Sequence, residues 1–149
     1  GALLQRVANT LDGALGFKTP EYREVGWFSA KMDTMLNYIP ARITATLTIT
    51  LAPLVDGSVK ETWTTWRRWN RVTESLNAGH PMSAMAGALK VRLEKPGYYV
   101  INDNARNPEP SDIARGLRIA ITLSILYLTL ISVSITVIQM LPIPLNGFL

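Results

Sequence analysis

Two carboxylates near the start of the chain lie on otherwise apolar helical stretches, each beside an amide side chain. Asp12 follows Asn9 by three positions on one predicted helix, and Asp33 precedes Asn37 by four on the next. Nearby basic residues are Lys18, Arg23, Lys31 and Arg42. Carboxylates that hold Mg²⁺ and cations that bind phosphate are what a phosphate-transferring site requires. Helix capping and surface ion pairing explain the same pattern, and spacing alone favours that plainer explanation.

A second candidate site surrounds the single histidine, in the sequence Asn-Ala-Gly-His-Pro at residues 77–81. Pro81 suits the first position of a helix, whose unpaired N–H groups and dipole attract an anion. Ala78 and Gly79 are small, so their backbone can approach a phosphate or carboxylate closely. At the predicted N-cap, His80 either donates to that anion, accepts a proton, or only caps the helix, which is the simplest of the three roles.

Composition excludes several kinds of site. The chain has no cysteine, which rules out disulfides and thiol catalysis, and one histidine cannot build a zinc cluster. Neither a P-loop nor a kinase signature is present. The net charge of +4 does not demand nucleic acid; it suits anionic lipid or phosphorylated substrates.

The elements that position these residues include a membrane span. Residues 119–141 contain no charge, and these 23 residues would form a helix of about 35 Å, enough for a hydrocarbon core of about 30 Å. Residues 41–55 are apolar but short, so a re-entrant or interfacial segment competes with a tilted span beginning at Pro40. We predict one all-α domain over residues 1–149, a multi-pass integral membrane protein with amphipathic and re-entrant helical segments.

The polar region 56–118 carries ten Lys and Arg residues, which predicts a cytoplasmic location. If 41–55 crossed the membrane fully, the two candidate sites would lie on opposite sides. We therefore expect this segment to dip in and return, leaving both sites on one side.

Three helices are predicted around this polar region. Residues 59–76 carry Trp63, Trp66 and Trp69 among arginines, which suits a helix in the membrane interface better than nucleic-acid binding. Residues 81–93 form a helix that packs along a methionine stripe, with a thin side where another backbone can approach. Residues 94–102 turn into a short extended piece, and Ser111 caps the helix that becomes the membrane span.

The chain contains, in this order, NTLDGALGFKTPEYREVGWFSAKMDTMLNYIPARITA (9–45), NAGHPMSAMAGALKVRLEKPGYY (77–99) and PEPSDIARGLRI (108–119). In order and spacing these blocks resemble the adenosylcobinamide-phosphate synthase family of cobalamin biosynthesis, multi-pass membrane proteins of bacteria and archaea. The resemblance covers nearly the whole chain and corresponds to the carboxy-terminal half of a full member, which fits a first residue that is Gly rather than Met.

This resemblance implies a ligase that uses ATP and Mg²⁺ to join adenosylcobyric acid to aminopropanol phosphate, giving adenosylcobinamide phosphate. It implies a prokaryotic cell-membrane location. The implied partners are the corrinoid, the amino alcohol phosphate, the lipid bilayer and a missing amino-terminal half, without nucleic acid. The isolated fragment is expected to be inactive.

Carried over by position, the resemblance assigns catalytic roles to Asp12, Asp33 and Arg42, with Asp12 and Asp33 holding Mg²⁺. It assigns substrate and phosphate binding to Asn9, Lys18, Arg23, Asn37, Asn77, Gly79 and Arg92, and the predicted helix start adds His80 to this set. The chain departs from the family pattern at Thr34, Met82 and Glu94-Lys95, and many members have an aromatic residue where it has His80. A non-enzymatic membrane regulator or scaffold related to the family is the main alternative. A transporter ranks last because the long span has no ionisable residue.

Overall fold

The protein was analysed as a computed structural model, which describes residues 25–140 together with residues 3, 6, 7, 9 and 10. The described part is mainly helical. Its elements in chain order are α1 (Val25–Leu36), α2 (Tyr38–Leu51) with a 3₁₀ turn (Ala52–Val55), α3 (Val59–Trp69), α4 (Gly79–Leu89), β1 (Leu93–Lys95), β2 (Tyr99–Ile101) and α5 (Pro110–Met140).

Helices α1 and α2 are nearly continuous, and the interruption lies at Asn37 rather than at the predicted Pro40. The N–H of Asn37 donates to the carbonyl of Asp33, and the N–H of Ala41 donates to that of Asn37, both at 3.0 Å. Pro40 has no N–H for the carbonyl four residues earlier, at Leu36, so the distortion precedes the proline. Residues 41–55 contain no chain reversal: they continue a helical stretch, Trp27–Val55, that is 29 residues long and apolar enough to cross a membrane.

The chain reverses after this stretch instead. Asp56 adopts a left-handed conformation (φ 58°), and α3 then runs back along α2 before α4 turns again. Gly57 is required here because a Cβ atom would lie 2.5 Å from the carbonyl oxygen of Ala88. The α3–α4 hairpin therefore returns the loop between these helices, residues 70–78, to the level of the α1–α2 kink.

Helix α4 packs mainly through small residues. A Cβ atom on Gly87 would lie 2.9 Å from Thr62 Cα, so α3 approaches α4 as closely as backbones can. The predicted thin side is thus confirmed. The predicted methionine face is less important than expected, since Met82 and Met85 are only half-buried while most of the small residues of α4 are buried.

The boundaries of α3 and α4 also differ from the predictions. Helix α3 ends at Trp69, seven residues before the predicted end, so Arg71 lies in the following loop. Helix α4 begins two residues early, at Gly79, and ends where Lys90 takes a left-handed conformation. The Leu93–Ile101 hairpin that follows confirms the short extended piece and adds a small sheet to a fold predicted as all-α.

Helix α5 begins at Pro110, and its amino end is capped by the side chain of Asp112 rather than by the predicted Ser111. The carboxylate of Asp112 accepts from the backbone N–H of Glu109 at 2.8 Å, the reaching-back half of a capping box. The same carboxylate receives two hydrogen bonds of 2.7 Å from Arg106 and one of 2.9 Å from Arg115. Arg115 also donates to the carbonyl of Val55, which fixes the start of α5 against the end of α2.

The two halves of α5 have different surroundings. Ile119 and Leu123 belong to the main core cluster, with Val55 and Leu89. Beyond Leu123 the helix has no charged residue and is mainly apolar, and only 6% of its most apolar stretch is buried within the described structure. Such a surface requires an apolar environment. The described part thus contains two candidate membrane-spanning helices, Trp27–Val55 and Pro110–Met140.

Candidate functional site

Asn77 joins the two sequence regions that were predicted to carry the chemistry. Its Nδ2 donates to the carbonyl oxygen of Thr34 at 2.9 Å, and its Oδ1 accepts from Arg42 Nη1 at 3.1 Å. The side chain is buried at 8% exposure, where an amide needs both a donor and an acceptor partner. The Ser75 hydroxyl accepts from the backbone N–H groups of Asn77 and Ala78, which holds the loop in place. The structure therefore brings the two predicted sites together.

Arg42 is held by three contacts. Besides its bond to Asn77, its Nη1 donates to the carbonyl of Tyr38 at 2.6 Å. Its guanidinium carbon lies 3.3 Å from the centroid of the Tyr38 ring, in a cation–π arrangement. A cation fixed in this way loses little further conformational entropy when an anion binds.

Asp33 accepts hydrogen bonds from two amides: Asn37, which was predicted to lie beside it, and Asn9, which was predicted to lie beside Asp12. Its Oδ1 accepts from Asn37 Nδ2 at 2.8 Å and from Asn9 Nδ2 at 3.3 Å. Among the described residues no side chain donates to Oδ2. The remaining predicted members of this site, Asp12, Lys18 and Arg23, lie outside the described residues.

The described residues supply only part of a metal site. No group of three His, Asp or Glu side chains occurs there with suitable geometry. Asp33 offers one carboxylate, and Mg²⁺ in proteins is often held by one or two carboxylates together with substrate phosphates. The described residues thus fit a partial site, and the Mg²⁺ assignment stays a prediction.

His80 is the second residue of α4 rather than its N-cap, because the helix begins at Gly79. Its Nδ1 accepts a hydrogen bond from Trp66 Nε1 at 3.2 Å. An indole N–H can only donate, so a neutral His80 carries its proton on Nε2. Burial lowers the pKa of His80, and the nearby charges of Arg42 and Arg71 lower it further. The ring is therefore a neutral donor through Nε2, and its Nδ1 is already engaged.

Gly79 has a packing role that the sequence did not reveal. A Cβ atom at this position would lie 2.3 Å from the carbonyl oxygen of Asn70 and 3.1 Å from Thr73 Oγ1. A glycine is therefore needed at position 79 so that the start of α4 can pack against the preceding loop. The sequence had instead suggested that small residues here let the backbone approach a ligand. Its place in a binding site stays a prediction.

Arg92 lies apart from the other predicted residues. It follows the end of α4, and the 11 residues of that helix place it about 16 Å from the His80 end. Its Nη2 pairs with Glu94 at 2.7 Å, and its backbone N–H donates to the carbonyl of Arg106 at 2.8 Å. The structure thus does not bring Arg92 into the group around Asn77.

A groove of about 830 Å³ opens beside Arg42 and His80, between α2, α3 and the loop after α3. We call it the arginine groove. Its basic residues are Arg42, Arg67, Arg68 and Arg71, and its aromatic residues are Tyr38, Trp63 and Trp66. None of the described residues that line it is acidic. Its electrostatic potential is therefore strongly positive.

The predicted site lacked five residues of the groove, since their pattern is typical of a membrane-interface helix: Arg67, Arg68, Arg71, Trp63 and Trp66. The available signal was their proximity in sequence to His80. The tertiary structure turns Trp66 inward, where it packs with Ala45, Ile49 and Ala84.

Comparison with known proteins identifies the family. The profile of the family described as CobD/Cbib protein matches residues 1–130. The probable cobalamin biosynthesis protein CobD of Aeropyrum pernix is 50% identical over 135 residues, which cover 91% of this chain and 42% of the relative. The Thermoplasma volcanium protein of that name is 38% identical, covering 93% of this chain and 45% of the relative. The Mycobacterium tuberculosis cobalamin biosynthesis protein CobD is 38% identical, covering 75% and 38%.

The chain therefore belongs to the CobD/CbiB family. It spans less than half the length of these curated relatives. No solved structure matches it.

Proposed function

We propose that this chain forms part of a membrane-bound enzyme of cobalamin biosynthesis that joins adenosylcobyric acid to aminopropanol phosphate in an ATP-dependent amide ligation. The observation that carries the proposal is the contact of Asn77 with both Thr34 and Arg42. Residues 43 and 35 positions apart meet in one polar site. Membership of a family whose relatives are named for cobalamin biosynthesis supports the choice of pathway.

The chemistry needs an activated carboxyl group, because a carboxylate is a poor acyl donor. In the proposed reaction the corrinoid carboxylate attacks the γ-phosphorus of ATP, forming an acyl phosphate and releasing ADP. The amine of the amino alcohol phosphate then attacks the acyl carbon, which forms the amide and releases phosphate and a proton. Both steps develop negative charge on oxygen, which fixed cations stabilise.

The described residues have separate proposed roles in this scheme. Arg42, held by Asn77 and Tyr38, binds a phosphate oxygen. His80 donates through Nε2 and does not act as a base through Nδ1, because Trp66 occupies that nitrogen. Asp33, positioned by the Asn9 and Asn37 amides, would hold Mg²⁺ with Asp12, and this ion would neutralise the phosphates of bound ATP.

The two apolar helical stretches support a membrane location, and the resemblance to a family of bacteria and archaea supports a prokaryotic cell. The α3–α4 hairpin places the polar site beside the α1–α2 kink, at the level where Tyr127 of α5 contacts Thr44 at 2.9 Å. The chain reversal after Val55 thus brings both motifs to one site without the re-entrant turn that was expected within residues 41–55.

The test uses membranes that carry the intact parent protein, supplied with adenosylcobyric acid, aminopropanol phosphate, ATP and Mg²⁺. We expect the amide product by mass spectrometry, dependent on ATP, and its loss in Asp33→Asn. The matched control is Asp103→Asn, a change of the same kind on an exposed loop residue. Absence of product from folded wild-type protein would refute the ligase. Full activity in Asp33→Asn would remove Asp33 from the reaction and favour a scaffold role for this polar cluster.

A further inference from the structure

The arginine groove contains more positive charge than one phosphate ester requires. Four guanidinium groups line it, and Arg67, Arg68 and Arg71 have no carboxylate within salt-bridge distance among the described residues. Exposed arginines normally repel one another when they converge on one cavity, so their grouping is costly without a multivalent anion. Guanidinium forks match the paired oxygens of phosphate.

One wall of the groove is aromatic and accessible. Trp63 is 46% exposed, and its ring lies 4.8 Å from that of Trp66, which the core holds in place. An indole supported from behind is a surface on which a planar heterocycle such as a nucleobase can stack. His80 also lines the groove, and Trp66 occupies only its Nδ1. The Nε2–H of the neutral ring is therefore available to donate to a ligand.

We infer that the arginine groove is the binding site of a nucleoside triphosphate, with the phosphates on Arg42, Arg67 and Arg71 and the base on Trp63. The groove volume of about 830 Å³ is in the range of small-molecule sites. The inference deepens the proposed function, since it assigns the ATP of that reaction to residues of α3 and the following loop. Under this inference the arginines and tryptophans of α3 bind a ligand, whereas their sequence pattern had suggested contact with the membrane interface.

Arg42 connects the groove with the rest of the site. Because its guanidinium group also contacts Asn77, the terminal phosphate of the bound nucleotide would lie nearest the residues around Asp33. Arg68 is left out of this assignment because its guanidinium carbon lies 5.2 Å from the centroid of the Trp69 ring. In this orientation the γ-phosphate, rather than the base, would lie next to the corrinoid carboxylate of the proposed reaction.

The experiment is calorimetric titration of the intact parent protein in phosphatidylcholine nanodiscs with ATP, tripolyphosphate and inorganic phosphate. The test variant is Arg67→Gln/Arg71→Gln, and the matched control is Lys60→Gln, an exposed cation on α3 outside the groove. Both arginines are exposed, so the double variant is expected to fold, which its unfolding temperature verifies. We expect it to lose affinity for ATP and tripolyphosphate by about tenfold or more, and Lys60→Gln to bind as wild type.

Trp63→Leu distinguishes a nucleotide from a bare polyphosphate. It should weaken ATP binding about tenfold and leave tripolyphosphate binding unchanged. Equal effects on both ligands would overturn the nucleotide assignment. A separate arm measures binding to phosphatidylglycerol vesicles: if the arginine changes weaken only vesicle binding, the groove is a lipid head-group surface and the inference is wrong.

The proposed function and this inference can fail separately. If wild-type protein forms the amide with ATP while Arg67→Gln/Arg71→Gln binds ATP normally, the ligase stands and the groove assignment is overturned. If ATP binding depends on the groove but no amide forms, the nucleotide site stands and the proposed reaction is wrong.

Discussion

Replacing Asn77 by alanine tests whether the two motif regions depend on one buried amide. The change removes a neutral hydrogen bond to the Thr34 carbonyl and a charge-assisted bond from Arg42. A neutral bond contributes about 0.5–1.5 kcal/mol and one to a charged group about 1.5–3 kcal/mol. We therefore expect the free energy of unfolding of Asn77→Ala to fall by about 2–4 kcal/mol.

The assay is denaturant unfolding of the intact parent protein in a single detergent, with a double-mutant cycle between Asn77→Ala and Arg42→Met. The cycle should give a coupling energy of about 1.5–3 kcal/mol. Asn104→Ala is the matched control, an exposed loop amide without a hydrogen bond in the described structure. A loss of stability below about 0.5 kcal/mol for Asn77→Ala, or a coupling energy near zero, would refute the reasoning.

Asn77→Asp separates the two contacts of this amide. The carboxylate of Asp at position 77 would still accept from Arg42, but it has no N–H to donate to the Thr34 carbonyl. Its negative oxygen would instead be repelled by that carbonyl oxygen. We expect Asn77→Asp to lose ligase activity even if the Arg42 contact preserves most of the stability. Normal activity in this variant would show that the position of Thr34 relative to Asn77 is unimportant for the reaction.

Further predictions concern packing and protonation. Gly87→Val should lower the free energy of unfolding by about 1–3 kcal/mol, because its Cβ atom would meet Thr62 on α3. The control Gly116→Ala should be tolerated, since the nearest atom to its Cβ would be 3.6 Å away. Equal unfolding temperatures for the two variants would contradict this. Folding lowers the pKa of His80 below its ordinary 6.5, so the unfolded chain takes up a proton there first as the pH falls. The contribution of His80 to the free energy of unfolding is therefore fully present above pH 6.5 and declines below it. In a pH series of unfolding measurements, His80→Asn should remove that decline. Trp66→Phe removes the donor to Nδ1 and should raise the pKa of His80, observable by NMR because the chain has one histidine.

The differences between prediction and structure have a common physical origin. Hydrogen bonds within helices join residues four positions apart, so apolar periodicity predicts where helices form. Their ends depend on less local contacts: α5 begins at Pro110 because Asp112 reaches back to Glu109, and α4 begins at Gly79 because the preceding loop lies against it. The predicted break at Pro40 lay three residues late, since a proline disturbs the turn before it.

The sequence by itself determined the helical character, the long apolar stretch after Arg118 and, through three motif blocks, the family. These properties depend on composition, local periodicity and residue order. Only the tertiary structure decided that Asn77 meets Thr34 and Arg42, that Trp66 sets the tautomer of His80, and that four arginines converge on one groove. Those contacts arise because small residues let α3 run back along α2 and let α4 pack closely against α3. The directions of the helices are therefore set by packing between distant residues rather than by any local pattern.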